Sequence, residues 1–427
     1  MEEIVIDYTT KYPKWDKRMK STHKILVPDM LPYHFLIIEK VLKDEGFDIE
    51  VLKNDGREVI DEGLKHVNND TCYPCLCVVG QYINALKSGK YDPEHTALLI
   101  TQSGGGCRAS NYVALIRKAL RSEFPNVPVV SINFSGLEKD SSLKIGVKLF
   151  LKLLYSILYG DTVMWCYNQT KPYEIKEGEA DEARNKAVDF AVNKFIKGGY
   201  ANYKKITSEI IKIFASVERS KEKKAKVGIV GEIYVKYSYL GNNNLEKFLL
   251  SENCEPVVPA LLDFVLYCIV NVMNDGDFYG VNKFTARIYK FVYGIIHRMQ
   301  KKIIRLFEED GNFEPVHDFE HLRACADKVI NQGVKMGEGW LIPAEMAALA
   351  ETGVKNIVCA QPFGCLPNHI AGKGSVRALK NIYEDENIVA VDYDPSATRV
   401  NQENRIKLML ATARENNVRI ENNAKAI

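Results

Sequence analysis

Short apolar runs alternate with amphipathic stretches along this chain, and the alternation predicts strands and helices in turn. Lys24–Val27 reads as a strand, residues 34–45 as a helix and 47–52 as a second strand. Asp70 and Thr71 can cap a helix running from Cys72 to about Lys87. A strand at 97–101, a glycine-rich loop at 103–106, a helix ending at Leu120 and a strand at 127–132 follow. That order reads as a doubly wound parallel sheet.

Residues 143–216 read as helical throughout. The charged segment SKEKKAK at 220–226 marks a boundary, after which a strand at 227–230 opens a second α/β unit. A helix over 281–306 places Phe284, Ile288, Phe291, Val292, Ile295, Met299, Ile303 and Leu306 on one stripe, with Lys301, Lys302 and Arg305 outside it. Such a pattern faces a core. The tail returns to strand (356–359), loop (361–368), helix (370–382), strand (388–392) and helix (399–412). The expected fold class is α/β, with two Rossmann-like parallel-sheet domains and helical connections. The expected domains are 1–165 carrying Cys72 and Cys107, a helical connection at 166–225, and 226–427 carrying Cys365.

Composition narrows the function classes. Apolar residues make up 46% and charged residues 26% of 427 positions, ordinary for a globular chain. A net charge of +2 gives no basic field for nucleic acid. The apolar runs, such as 149–158, are short or interrupted by lysine, so none reads as a membrane span. The N-terminal stretch has no apolar signal core, and cytoplasm is the expected location. Ten cysteines in a reducing compartment are core residues, metal ligands or redox groups.

Three cysteines share one local grammar, a loop position at or just before a helix start. Cys72 follows Asp70 and Thr71, Cys107 closes the loop Ser103-Gly104-Gly105-Gly106, and Cys365 follows Gly364 in QPFGCLPN. Helix starts offer free N–H groups and positive potential, which favour a thiolate or an anionic cluster. Glycines let backbone approach a bulky inorganic group. Iron–sulfur clusters are held by such thiolates. Each cysteine alone also fits a buried small hydrophobe. The run CYPCLC (Cys72, Cys75, Cys77) offers a zinc reading but lacks a second close pair, and a Cys72–Cys75 redox disulfide would leave Cys107 and Cys365 unused. Cys166, Cys254, Cys268 and Cys325 read as filler.

Other motifs are weaker. AGKGS at 371–375 is not a P-loop, although Lys373 could meet a phosphate at a helix start. VGIVGE at 227–232 carries no dinucleotide fingerprint. His317 and His321 in HDFEH would need a third ligand, and a solvated helix start is the plainer reading. DYDP at 392–395 reads as a turn and cap, or as a proton acceptor at a strand end.

Together, NDTCYPCLCVVGQ, SGGGCRASNY, VGIVGEIYVKYS and CAQPFGCLPNHIAGKGS with VAVDYDPSATRVNQENRIKLML resemble the CoA-dehydratase-related region of the acyl-CoA dehydratase activase-related proteins. The likeness runs from about Ile25 to Ala411. More distantly it is similar to the iron–sulfur subunits of 2-hydroxyacyl-CoA dehydratases and benzoyl-CoA reductases, and to double-cubane cluster proteins. The resemblance implies a [4Fe–4S] cluster on Cys72, Cys107 and Cys365 in the cleft between the domains, with Gly104, Gly105, Gly106 and Gly364 shaping its loops. Cys75, Cys77 and Cys359 could extend the set to a double-cubane [8Fe–9S] cluster. Ser103, Asn111, Asn368 and His369 are the nearest polar groups in sequence. The resemblance also implies an ATP-dependent iron–sulfur activator acting in trans, a homo- or heterodimer, and a CoA-thioester or other small substrate that is reduced or dehydrated. The alternatives are a non-enzymatic electron carrier or scaffold, and a double-cubane reductase of small molecules.

Overall fold

Parallel strands carry the architecture. The structure is a computed structural model and describes residues 12–68, 70–102, 106–133, 143, 145–199 and 202–425. Strands β1 (Lys24–Val27), β2 (Ile49–Val51), β3 (Thr96–Gln102) and β4 (Val129–Asn133) form one all-parallel sheet in the order β2-β1-β3-β4. Helices α1 (Phe35–Asp44), α2 (Arg57–His66), α3 (Tyr73–Lys87) and α4 (Tyr112–Leu120) alternate with them. The interior strand β3 is the continuous apolar run Ala97-Leu98-Leu99-Ile100, every residue buried, as suits a strand covered on both faces. Its Leu99 carbonyl accepts a 2.5 Å hydrogen bond from the buried Tyr82 hydroxyl of α3. Helices α2 and α3 cross at Gly63 and Gly80, where a Cβ on Gly80 would lie 2.1 Å from the Val59 carbonyl oxygen.

The long helices α5 (Val147–Asn168), α6 (Glu179–Gly198) and α7 (Tyr203–Ala215) come next. A second all-parallel sheet then forms from β5 (Ala225–Gly231), β6 (Cys254–Val257), β7 (Asn356–Pro362) and β8 (Asn387–Tyr393), in the order β6-β5-β7-β8. Around it lie α8 (Ile233–Tyr237), α9 (Leu245–Ser251), α10 (Leu261–Phe278), α11 (Lys283–Asp310), α12 (Phe319–Val329), α13 (Leu341–Glu351), α14 (Gly374–Ile382) and α15 (Arg399–Lys425). A π-helical turn, Asn368–Lys373, leads into α14. The expected fold class, two Rossmann-like parallel-sheet domains, is the observed one.

The described residues divide into two compact units. One holds those up to Pro28, Leu42–Thr71 and Cys75–Gly146; the other holds Asp29–Val41, Cys72–Pro74 and those from Val147 onward. The short segment at Cys72 thus groups with the long stretch from Val147. Buried bonds within the second unit account for part of this division. His34 Nε2 meets Asp161 of α5 at 2.8 Å, and the Ser238 hydroxyl donates to the Asp29 carbonyl at 2.9 Å.

Two expectations change. One described stretch, Val147–Tyr173, is long and apolar enough to cross a membrane, but its most apolar window is 72% buried and it contains buried Lys152 and Asp161. A helix apolar on all sides is here a packed core helix. The stripe on α11 also splits. Met299 and Ile303 are buried, whereas Phe284, Ile288, Phe291 and Ile295 face water, Phe284 at 75% exposure. The buried line instead runs through Ala286, Tyr293, Ile296, Gln300, Ile303 and Phe307. Helix α10 comes so close at Gly276 that a Cβ there would lie 2.5 Å from the Ala286 Cβ, so a small residue rather than a bulky one sets the seam.

Candidate functional site

In each sheet the chain lays its second strand on one side of the first and its third strand on the other. The strand order therefore reverses between β1 and β3, and again between β5 and β7. Crevices at the carboxyl ends of such strands are where open α/β sheets bind ligands. Cys107 follows the end of β3, and Cys365 follows the end of β7. Both cysteine loops thus leave from a strand at a reversal point.

Cys107 is half-buried and in extended backbone, and it immediately precedes a 3-10 turn at Arg108–Asn111 that runs into α4. The guanidinium of Arg108 donates to the carbonyl oxygens of Asp70 and Thr71. One side chain therefore ties the residue after Cys107 to the residue before Cys72. Cys72 stands directly ahead of α3, while Cys75 and Cys77 lie within that helix, wholly buried. Gly106 is exposed; Ser103, Gly104 and Gly105 lie outside the described residues. Asn111 is exposed at the start of α4.

Cys365 is 9% exposed and follows Gly364, whose φ of 75° is the left-handed conformation that glycine adopts without strain. The Cys365 carbonyl accepts from His369 twice, from the backbone N–H at 3.0 Å and from Nδ1 at 2.9 Å. Nδ1 must therefore carry the proton. His369 Nε2 and Lys373 Nζ each lie 3.6 Å from Asp392, which also accepts from the Gln361 amide. Lys373 thus has a carboxylate partner. Asp394 accepts from the backbone of Ser396 and Ala397, the expected turn at DYDP. Cys359 sits in the middle of β7 against Gly372, and burial, then Glu345 and Asp392, push its thiol up to about 12.

Asn368, three residues beyond Cys365, is fully buried, and neither atom of its amide has a hydrogen-bond partner among the described residues. Buried amides left this way are rare and costly. Three cysteine thiols beside helical starts are the donor set an iron–sulfur cluster takes, and Asn368 is a buried amide donor three residues along the chain from one of them.

Sequence reasoning missed the carboxylates at the end of β5. Glu232 caps α8 by accepting from the Val235 N–H at 2.9 Å, and Glu338 accepts from the Ile233 N–H at 3.2 Å. Burial, then the charge of Glu338, raises Glu232; burial also raises Glu338. The pair therefore retains protons to higher pH than ordinary carboxylates. Behind them Lys236 and Glu345 form a 2.8 Å ion pair, with 2% and 1% of their side chains exposed. Only a backbone fold brings residues some hundred positions apart into such contact, so no local spacing announces them.

Among the described residues, two other clusters have metal-ligand composition. Glu62, His66 and Glu123 converge in the first unit, but Lys87 sits 2.5 Å from Glu62 Oε1, the same oxygen that faces His66, and 2.9 Å from Glu123. His321, Cys325 and Glu351 converge in the second. A scan against models of known protein families finds no match, and no curated protein matches the chain.

Proposed function

We propose that this chain is an iron–sulfur protein of the 2-hydroxyacyl-CoA dehydratase type, with Cys72, Cys107 and Cys365 as cluster ligands. Its partner is an ATP-dependent activator, and its substrate is a small molecule of the CoA-thioester class. The observation that carries the reading is the repeated placement of a cysteine after the strand at each reversal point, with Arg108 joining the Cys107 loop to the chain entering Cys72. When bound, a [4Fe–4S] cluster supplies a low-potential electron and a Lewis-acidic iron.

The chain's own residues have definable tasks in this reading. Gly364 permits the turn into Cys365, and His369 Nδ1 fixes the carbonyl of that cysteine. Asn368, whose buried amide has no partner among the described residues, would be the nearest amide donor in sequence to a sulfur of a cluster held by Cys365. Burial raises Glu232 and Glu338, so each keeps its proton to higher pH than an ordinary carboxylate and can give one to a departing oxygen. That proton supply favours an enzyme over a passive electron carrier. Cys75 and Cys77 inside α3 and Cys359 inside β7, rather than in loops, favour one cubane over two.

Iron and acid-labile sulfide, measured with an EPR spectrum on protein purified without oxygen, test the reading. Roughly four of each per chain are expected, against about eight for the double cluster. C107A should lose the cluster and stay folded. Zinc alone, or full iron content in C107A, would remove the assignment.

A further inference from the structure

Helix α12 carries His321 and Cys325 one turn apart, so their side chains share a face. Helix α13 ends at Glu351 beside them. His321 Nε2 lies 3.6 Å from Cys325 Sγ and 3.5 Å from Glu351 Oε2, and the three ligand atoms lie within 4.8 Å of one another. A tetrahedral zinc ion with bonds of about 2.0–2.3 Å sets its ligand atoms roughly 3.3–3.6 Å apart. The two measured separations match the edges of that tetrahedron.

The surroundings fit as well. Glu351 uses its other oxygen, Oε1, to accept from Lys328 Nζ and the Tyr383 hydroxyl, each at 2.5 Å. Those two donors orient the carboxylate and leave Oε2 toward the histidine and cysteine, the role outer groups play at metal centres. Cys325 is fully buried, and a bound cation would take it as the thiolate. His321 also lines a cavity of about 750 Å³, together with His317, Lys301, Arg305 and Thr352. His317 itself lies ahead of α12, which Asp318 caps, and its ring centre is 6.2 Å from that of His321. HDFEH by itself offers His317 and His321; in the fold His321 instead meets Cys325 of its own helix and Glu351 of the next.

We propose that His321, Cys325 and Glu351 form a binding site for a zinc-class divalent cation, with the fourth coordination position available to water or a small ligand from the cavity. The site uses none of the cysteines of the proposed cluster and stands or falls separately from it.

Cobalt(II) is the probe, titrated into the full-length chain after chelator treatment, without oxygen. Wild type should bind one equivalent with a thiolate-to-cobalt charge-transfer band and the intense ligand-field bands of four-coordination. C325S should lose that equivalent, and so should H321A, whose ring is 39% exposed and whose removal leaves the core intact. Y383F removes only an outer partner and should weaken binding about tenfold. C107A should leave this equivalent unchanged, which separates the site from the proposed cluster. Identical stoichiometry, affinity and spectrum in wild type and H321A would overturn the proposal, whether or not C325S folds.

Discussion

Lys236 and Glu345 form an ion pair with almost no water contact, and Glu345 Oε2 has no hydrogen-bond partner among the described residues. Desolvating both charges consumes most of their attraction, but removing one leaves the other stranded. K236M should therefore cost about 3–5 kcal/mol at neutral pH. K236M/E345L should recover most of it, since a packed apolar pair avoids both penalties; urea denaturation of the three proteins measures the cycle. The residues of this pair were invisible in sequence, because a lysine and a glutamate 109 positions apart carry no signal until β5, α8 and α13 pack. The cysteine loops were visible for the opposite reason. Glycine before Cys365 and the helical segments after Cys107 and Cys365 are local punctuation, and local conformation decides them. Cys325 was read as filler because its partner Glu351 comes from another helix.

Helix α10 shows how an element can depend on a distant side chain. Its N-cap residue, Ala260, offers no side-chain bond. Asp161 of α5 supplies two instead, accepting from the Leu261 N–H at 2.7 Å and the Leu262 N–H at 3.0 Å, while His34 holds the same carboxylate. An anion at a helix start satisfies orphan donors and meets the positive end of the helix dipole. D161A should cost about 3 kcal/mol or more and speed hydrogen exchange at the Leu261 and Leu262 amides. Among strands, the apolar runs at β1, β3, β5 and β7 were legible because parallel strands covered on both faces are continuously apolar, and the edge strand β8 was legible from its run Ile-Val-Ala-Val. Strand β6 was not. It is four residues, Cys-Glu-Pro-Val, and its proline is tolerated only because the strand lies at the sheet edge. The seam of α11 was misread because Ala286, against Gly276, sets the approach of α10.

Across the whole molecule, buried acids should give stability an uncommon slope with pH. Burial raises Glu246 and Glu386 to about 7, and also raises Asp263, Glu345, Glu338 and Glu232. Between about pH 4.5 and 7 the folded chain then holds more protons than the unfolded one, so these groups make stability fall as pH rises. His317, lowered to about 4 by burial and His321, works the other way over about pH 4–6.5 and offsets part of this. Glu62 is raised by burial, but hydrogen bonds from Lys87, Lys65 and His66 outweigh that and hold it at about 2. Its contribution is present above about pH 4.5 and is lost as pH falls toward 2. The urea midpoint should therefore be higher at pH 5 than at pH 8, and E246Q should flatten the difference. The exposed half of the α11 stripe bears on handling rather than on folding. From Phe284 to Ile295 it runs about 16 Å along the helix, a length of surface that behaves as an amphiphile. Excluded salts such as sulfate strengthen apolar attraction, so concentrated ammonium sulfate will drive molecules together through this face well before the charged remainder of the surface precipitates.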